Sequence, residues 1–265
     1  MSWRVAGRSD RGHVRRANED TWGHEELVLV VVDGMGGQVG GALAAKLTHE
    51  QLIRSGEPEA RFAAANEAIL AGAREQPSLA GMGSVAVRAE LGDGLVRIAH
   101  VGDCRAYLAG ATGVAQLTED HTVRAEHLRE QALSESQAQS APGGNEVTRD
   151  LGGRSRLEID LGEHEVEDGD LLLLCSDGLT DLVPNSVLYR LLTQAHGEAW
   201  PLTRLADALV EEALARGGTD NVTVAVARCR FETRPAESAP GLDLLSLFTA
   251  ALVLSRGLFS LLETS

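Results

Sequence analysis

Hydrophobic and polar positions along the chain follow two different periods, one typical of strands and one typical of helices. Short apolar or alternating runs predict strands over 27–32, 84–91, 95–101, 105–109, 156–161, 170–176 and 221–229. In the last run, apolar and polar residues alternate over 222–226, which is the pattern of a half-buried antiparallel strand. Gly92, Asp93 and Gly94 predict a hairpin turn between two of these strands.

Apolar residues three or four positions apart predict three helices, over 41–54, 59–74 and 202–216. Pro201 precedes the third helix and Gly217 follows it, which is the usual order of helix start and stop signals. Two helices follow the first strand as a pair, and the strands cluster elsewhere. This order favours an α+β fold, with helices covering antiparallel sheets, over a doubly wound βαβ fold.

The chain divides by composition into a large folded part and a different C-terminal part. Residues 1–231 are predicted to form one globular domain, in which the polar, breaker-rich stretch within 122–154 forms a mobile surface flap. Residues 232–241 read as a linker, and 242–265 as an apolar C-terminal helix. The apolar stretch 242–262 is nearly long enough to span a bilayer but contains Arg256, so docking on protein and association with a membrane both stay open.

Charge and cysteine content narrow the class of function. With 24 Lys and Arg against 39 Asp and Glu, the net charge is −15, which argues against nucleic acid and anionic membrane surfaces as partners. Clustered carboxylates are tolerated where divalent cations neutralise them. Three widely separated cysteines without a zinc-binding spacing suit a reducing compartment, and the N-terminus lacks an apolar signal region. We therefore expect a cytoplasmic protein, with membrane association through 242–262 left open.

The segment 27–41, LVLVVVDGMGGQVGG, carries the strongest single signal for chemistry. A buried apolar strand leads into one carboxylate, Asp33, which must be paired or bound to a metal to be tolerated there. A phosphate-binding glycine loop is the first rival, but Gly34, Gly36 and Gly40 do not fit its spacing and no Gly-Lys-Ser/Thr follows. A tight turn with a solvated aspartate is the second, and Asp33 alone does not exclude it.

Further carboxylates repeat the pattern of Asp33 at strand boundaries. They are Asp103, Asp177, Asp220 and the pair Glu19 and Asp20. This repetition suggests that strand ends converge on hard cations, and oxygen ligands favour Mg²⁺ or Mn²⁺ over zinc. Two histidines stand near these motifs. We expect His100 to pack in a strand and His121 to order the loop after Asp120, rather than to bind metal.

Taken together, seven ordered motifs closely resemble the bacterial branch of the PPM, or type 2C, metal-dependent protein serine/threonine phosphatases. They are SDRGHVRRANED (9–20), VVVDGMGG (30–37), GMGS (81–84), HVGDCRAYL (100–108), LTEDHT (117–122), LLLCSDGLTD (172–181) and GGTDNVTV (217–224). The resemblance covers residues 9 to about 230 and leaves the C-terminal tail uncovered. It implies two antiparallel β-sheets in a sandwich flanked by helices, with a binuclear centre of Mn²⁺ or Mg²⁺ at one edge.

By motif match, the resemblance assigns a role to each candidate residue. Asp33 bridges two metals and Gly34 lends its carbonyl oxygen, while Asp177 and Asp220 complete the first metal. Glu19 and Asp20 hold the second metal, mostly through water. Asp103, with Asp177, holds a third and weaker metal. Arg15 binds the substrate phosphate, since its planar fork matches phosphate oxygens.

The implied reaction is hydrolysis of phosphoserine and phosphothreonine by a hydroxide that bridges the two metals. Met35 stands where eukaryotic relatives carry a histidine, as is usual in the bacterial branch. The implied partners are phosphorylated proteins, substrates of a cognate Ser/Thr kinase, and the core is expected to be monomeric. Two alternatives stay open: a phosphoprotein-binding pseudophosphatase, and a dedicated phosphatase for one anti-sigma-factor antagonist.

Overall fold

The structure, a computed structural model, describes residues 2–37, 39–130, 137, 143–153 and 157–231. Its described strands form two five-stranded antiparallel sheets. The first sheet has the order β1-β10-β9-β6-β7, with bounds Ser2–Asp10, Val222–Arg230, Leu171–Cys175, Arg105–Gly110 and Gly113–Gln116. The second has the order β2-β3-β4-β5-β8, with bounds Thr21–Glu25, Val28–Met35, Gly83–Leu91, Leu95–Val101 and Asp160–Glu165.

Helices cover the outer faces of the two sheets. In chain order, the helices with described bounds are α1 (Gly40–Leu52), α2 (Pro58–Glu75), α3 (Val123–Arg129), α4 (Asp177–Thr180), α5 (Asn185–Gly197) and α6 (Leu202–Ala215), with a 3₁₀ turn at Pro77–Leu79. The contacts place α1 and α2 on the second sheet, and α5 and α6 on the first. None of the helices in the described part is long and apolar enough to cross a membrane.

Three apolar clusters hold these layers together. The central cluster joins the inner faces of the sheets, with Leu29 and Val87 from one sheet packed with Leu174 and Ala225 from the other. The second packs the outer face of β3 against α1 and α2, and the third packs β9 and β10 against α5 and α6. The predicted α+β sandwich is confirmed, with a core of Val, Leu and Ala in keeping with an aromatic content of 3%.

Strand β10 is more deeply buried than its sequence pattern predicted. The alternation over 222–226 indicated one solvated face, but every residue from Val222 to Cys229 is buried. The reason is that β10 lies between β1 and β9 in a sheet covered on one face by the second sheet and on the other by helices. The polar member of the run, Thr223, is satisfied by a hydroxyl contact of 2.7 Å with Ser9.

Several elements of the structure were not predicted from the sequence. Strand β1 contains three charged residues yet pairs with β10 along its whole length, from Ser2 opposite Arg230 to Asp10 opposite Val222. Strands β2 and β7 are short, and helix α5 was not predicted. The strand predicted over 156–161 is instead β8, Asp160–Glu165, an edge strand held by its pairing with β5.

Two buried arginines fasten helix ends to the sheets. Arg88 of β4 donates from Nε to the Leu52 carbonyl at 2.9 Å, at the end of α1. Arg228 of β10 donates to the carbonyls of Ala195 and Trp200, both at 3.0 Å, at the end of α5. Carbonyl groups at helix ends lack partners within the helix, so these guanidinium groups satisfy them in a buried setting.

Part of the predicted organisation lies outside the described residues. This applies to the linker 232–241, the apolar segment 242–265 and most of the predicted flap between 131 and 142.

Candidate metal centre

The predicted site residues gather at one end of the sandwich, around a cleft of about 660 Å³. Those that line the cleft are Arg15, Glu19, Asp33, Gly34, Asp103, Asp177 and Asp220. The remaining candidate, Asp20, is joined to this group by a hydrogen bond from Ser176, the residue next to Asp177. The structure thus brings together the eight residues predicted from the sequence to bind metal or phosphate.

The topology explains why aspartates far apart in sequence meet here. In the second sheet, Asp33 lies near the end of β3 and Asp103 lies just beyond the end of β5. In the first sheet, Asp177 follows β9 and Asp220 precedes β10. Because β9 and β10 are antiparallel neighbours, the end of one lies beside the start of the other. Each sheet therefore presents two aspartates to the same cleft.

Close backbone packing brings Glu19 to the end of β3. A Cβ atom on Gly34 would lie 2.1 Å from the carbonyl oxygen of Gly41, and one on Gly41 would lie 2.4 Å from Oε2 of Glu19. Only glycine fits either position without displacing its neighbour. The main chain around Gly34 can therefore approach the carboxylate of Glu19 closely.

Buried carboxylate oxygens at this site lack hydrogen-bond partners. Ser176 donates from Oγ to Oδ2 of Asp20 at 2.7 Å and itself accepts from the Thr223 backbone N–H at 3.0 Å. The second oxygen of Asp20, Oδ1, has no hydrogen-bond partner, and neither has Oδ1 of Asp177. Since a buried anionic oxygen without a partner is costly, these two atoms are suited to bind a cation.

The site is also short of positive charge. Burial raises the pKa of Asp33 well above its ordinary value, and the charges of Asp20, Asp177 and Asp103 raise it further. Burial likewise raises the pKa of Asp177, to which Asp103 makes the largest charge contribution. Burial raises the pKa of Asp20 to about 6 and that of Asp103 to about 7. Like charges in a desolvated cleft favour protonation unless cations neutralise them.

The donor set fits hard divalent cations. It consists of carboxylate and carbonyl oxygens, which Mg²⁺ and Mn²⁺ prefer, with no imidazole or thiol among the cleft-lining residues. Among the described residues, only His100, His121 and Asp160 place three ligand atoms within 4.8 Å of one another. The carboxylates of the cleft come from both sheets, which suits more than one ion, with water completing each coordination shell.

Arg15 supplies positive charge at the mouth of the cleft. Its Nη2 donates to Oδ2 of Asp220 at 2.5 Å, while about half of its side chain stays exposed to solvent. The bond to Asp220 is the largest cause of the raised pKa of Arg15, and the charges of Asp33 and Asp177 add to it. An exposed guanidinium beside a carboxylate cluster is well placed to receive an anion once the carboxylates are neutralised.

The sequence did not single out the residues that hold the ligands in place. Asn221 accepts from the Glu19 backbone N–H at 2.8 Å and donates to the carbonyls of Arg11 and Ala17, both at 2.9 Å, so it fixes the loop that carries Arg15. The only sequence feature that points to Asn221 is its position beside Asp220. The same is true of Ser176, which stands beside Asp177. Asn145, Glu146, Val147 and Asp150, which line another wall of the cleft, carry no such signal.

A cysteine nucleophile is not supported. Cys104 follows Asp103 but is fully buried in the central apolar cluster, and burial raises the pKa of its thiol well above the ordinary value. Cys175 is fully buried too, and burial raises the pKa of its thiol to about 12. Neither thiol is positioned or ionised for attack on a phosphate ester.

Comparisons with known proteins agree with this geometry. The model of the family Protein phosphatase 2C matches residues 11–133. The serine/threonine phosphatase stp of Listeria innocua is 33% identical over 236 residues, a match that covers 82% of this chain and 92% of the relative. The crystal structure of the Mycobacterium tuberculosis serine/threonine phosphatase PstP/Ppp superposes with a TM-score of 0.80 at 33% identity, covering 87% of this chain and 100% of that one.

A further structure, the catalytic domain of PstP in complex with two manganese ions, matches with a TM-score of 0.76 at 33% identity, over 86% of this chain and 99% of that one. The chain therefore belongs to the protein phosphatase 2C, or PPM, family, in its bacterial branch. It is a protein serine/threonine phosphatase, and its substrates are phosphoproteins. The family, fold class and enzymatic activity predicted from the sequence are confirmed.

Proposed function

We propose that this phosphatase hydrolyses phosphoserine and phosphothreonine in the cleft described above, with Mn²⁺ or Mg²⁺ held by its carboxylates. The observation that carries the proposal is the pair of buried oxygens, Oδ1 of Asp20 and Oδ1 of Asp177, that have no hydrogen-bond partner. These atoms belong to a group of carboxylates whose like charges bound cations would neutralise.

Each residue has a proposed role in this centre. Asp33 would be shared by two ions, Gly34 would offer its carbonyl oxygen to one of them, and Asp177 and Asp220 would provide the other ligands of the first ion. Glu19 and Asp20 would hold the second ion, mostly through water. Support comes from the topology, because Asp33 and Gly34 end β3 of one sheet whereas Asp177 and Asp220 flank β9 and β10 of the other. An ion that lies between the two sheets could therefore be bound by residues of both.

A third and weaker ion is proposed between Asp103 and Asp177. Asp103 makes the largest charge contribution to the raised pKa of Asp177. Asp120 and Asp181 both contribute to the raised pKa of Asp103, so carboxylates surround this position. Arg105, which is partly buried, pairs with Asp120, and its charge offsets the raised pKa of Asp103 only in part.

The chain's own residues would bind and orient the phosphate group. When bound, a pair of divalent cations supplies Lewis-acid charge and lowers the pKa of water. Arg15 presents a guanidinium fork to phosphate oxygens at the mouth of the cleft. Ser176 and Asn221 keep Asp20 and Glu19 in place, so the ligand set needs little rearrangement on binding.

Hydrolysis of para-nitrophenyl phosphate tests the proposal. We expect activity with Mn²⁺, loss of activity with EDTA, and loss of activity in Asp33→Asn at every Mn²⁺ concentration. Asp93→Asn, the same chemical change in an exposed hairpin turn, is the matched control and should keep full activity. Activity that survives EDTA or Asp33→Asn would show that the carboxylate cluster is not the metal centre.

Substrate choice and location are also proposals. We expect the physiological substrates to be phosphoproteins made by a cognate Ser/Thr kinase, processed by a monomeric core in the cytoplasm. A single dedicated substrate, such as an anti-sigma-factor antagonist, would appear as one strongly preferred phosphoprotein in a panel of candidates. Fractionation of cells that carry the chain with and without residues 235–265 tests whether 242–262 attaches the enzyme to membranes or to a soluble protein partner.

A further inference from the structure

His121 makes a two-point contact with the loop that carries Asp103. Its backbone N–H donates to the carbonyl of Gly102 at 3.0 Å, and its ring Nδ1 accepts from the backbone N–H of Gly102 at 3.1 Å. Both polar groups of Gly102 are therefore bound to one residue. Because Gly102 directly precedes Asp103, this contact fixes the peptide from which the Asp103 side chain extends.

Gly102 also has a backbone that few residues adopt. Its φ is +90°, and a Cβ atom there would lie 2.1 Å from Cγ1 of Val85. A glycine of this kind has many alternative conformations, so neighbouring contacts must hold it in the one observed. Val85 only limits the space, whereas His121 provides the hydrogen bonds.

Repulsion makes such a contact necessary. Asp103 is 8% exposed, and its carboxylate lies near those of Asp120, Asp177 and Asp181. Arg105 partly screens this charge by holding Asp120 in a bidentate pair, at 2.7 and 2.6 Å. The remaining like charges would move Asp103 away from Asp177 unless the backbone at Gly102 were held.

The ring of His121 is itself held in one tautomer. Since Nδ1 accepts a hydrogen bond, the neutral ring carries its proton on Nε2, and Nε2 lies 3.2 Å from Oδ2 of Asp160. His100 stacks against the same ring, with centroids 4.7 Å apart. Asp160 is in turn bound by Arg149, whose Nη1 lies 2.8 Å from Oδ1.

A metal site at His100, His121 and Asp160 is therefore not supported, although their ligand atoms lie within 4.8 Å of one another. The Nε2 atom of His121 that faces Asp160 carries a proton, so it has no lone pair to offer. The guanidinium of Arg149 already supplies positive charge to Asp160. This cluster is a hydrogen-bonded support for Gly102.

We propose that His121 is a positioning residue that holds Gly102, and through it Asp103, in the geometry required to bind the third ion beside Asp177. Asp160 supports it by fixing the tautomer of its ring. The inference rests on the proposed metal centre, and it adds a residue that touches neither substrate nor metal. His121 would therefore set the concentration of Mn²⁺ that the enzyme needs, and would leave the rate at saturating Mn²⁺ unchanged.

Two substitutions of His121 separate this role from a general structural one. His121→Asn places an amide oxygen where Nδ1 accepts from Gly102, whereas His121→Gln keeps a donor towards Asp160 but loses that acceptor. We expect the Mn²⁺ concentration for half-maximal activity to rise by about 10-fold in His121→Gln, as for other residues that orient metal ligands. In His121→Asn it should stay within about twofold of the wild type.

A double-mutant cycle and a milder variant complete the test. In an Asp103→Asn background, His121→Gln should cause no further change in Mn²⁺ dependence, because its effect passes through Asp103.

If His121→Gln fails to fold, Asp160→Ala, at a half-exposed position, frees the ring to change tautomer and should raise the Mn²⁺ requirement in the same direction, by about threefold. Equal Mn²⁺ dependence in wild type, His121→Gln and Asp160→Ala would overturn the inference, and so would equal shifts in His121→Gln and His121→Asn. A wild-type enzyme with no Mn²⁺-dependent activity would instead refute the proposed metal centre.

Discussion

Arg15 and Asp220 are bound to each other, with Nη2 of the arginine 2.5 Å from Oδ2 of the aspartate. One partner is the proposed phosphate-binding group and the other a proposed metal ligand. A cation that binds Asp220 would compete with the guanidinium for the carboxylate and release Arg15 towards the cleft. The structure therefore suggests an order in which metal binds before phosphate.

Arg15→Ala should weaken substrate binding more than it slows turnover. Loss of a charge-assisted contact to phosphate is expected to raise KM for para-nitrophenyl phosphate by about 10- to 100-fold. Arg15→Lys, which keeps the charge but not the planar fork, should lie between Ala and wild type. The neighbouring Arg16→Ala is the control and should leave KM unchanged. Equal KM values for Arg15→Ala and Arg16→Ala would remove Arg15 from the phosphate site.

Mn²⁺ should stabilise the wild-type protein against heat and should not stabilise Asp33→Asn. A ligand that binds only the folded state raises the melting temperature, and without Asp33 the proposed ions lose their shared ligand. In EDTA, Asp33→Asn should be the more stable of the two proteins, because it lacks a carboxyl group whose ionisation is opposed by burial and by the charges of Asp20 and Asp177. Thermal melts with Mn²⁺ and with EDTA measure both effects. A similar Mn²⁺ shift in both proteins would contradict the assignment of Asp33.

The metal-free protein should lose stability as pH rises from about 4 to about 7, through its buried carboxylates. Burial raises the pKa of Asp20 from an ordinary 3.8 to about 6, so the folded state keeps a proton that the unfolded state has released. The raised pKa of Asp103, at about 7, acts in the same direction. Above these values the folded state must hold the unpaired charge, which lowers its stability.

Asp20→Asn isolates this contribution, because His121 acts with the opposite sign. Burial lowers the pKa of His121 to about 4, so its contribution is lost as pH falls below the ordinary value of 6.5. Thermal melts in EDTA from about pH 4 to about pH 8 should show Asp20→Asn gaining stability over wild type as pH rises, up to a plateau above about pH 6. A difference that is constant or shrinks with pH would show that Asp20 is not protonated in the folded state.

Arg228→Met should destabilise the fold without altering the site. The guanidinium satisfies the carbonyls of Ala195 and Trp200 at the end of α5, and its removal leaves both without that donor. We expect the free energy of unfolding to fall by about 1–3 kcal/mol, measured by urea denaturation. Arg230→Met, at an exposed position on the same strand, is the control. Activity per folded molecule should be the same in both variants.

Sequence patterns predicted the parts of this protein whose signal is local. The Val-rich run into Asp33, the Leu-rich run into Asp177 and the amphipathic helix Leu202–Ala215 were located to within a few residues. Strand β1 was not predicted, because its polar residues are held in a strand by pairing with β10, more than 200 positions away in sequence. One example is the contact between Ser9 and Thr223, which are 214 positions apart.

The same distinction applies at the site. The aspartates next to strands could be proposed as metal ligands because each stands in the sequence beside an apolar run. The residues that orient them, such as Asn221 for Glu19 and His121 for Gly102, act on partners far along the chain. Such positioning roles depend on which residues the fold brings into contact, and a local sequence pattern does not encode this.

The placement of Asp20 and Asp177 has a mechanical consequence. Ser176, beside Asp177, donates to Asp20 across 156 positions of sequence, and the residues proposed to hold the first ion come from both sheets, Asp33 from β3 and Asp177 and Asp220 from the ends of β9 and β10. An ion held from both sheets would act as a reversible crosslink between residues far apart in sequence, so its binding would restrict motion of one sheet against the other. Removal of the proposed metal should therefore loosen the packing of the two sheets, so that the ion would stabilise the sandwich in addition to its proposed part in the reaction.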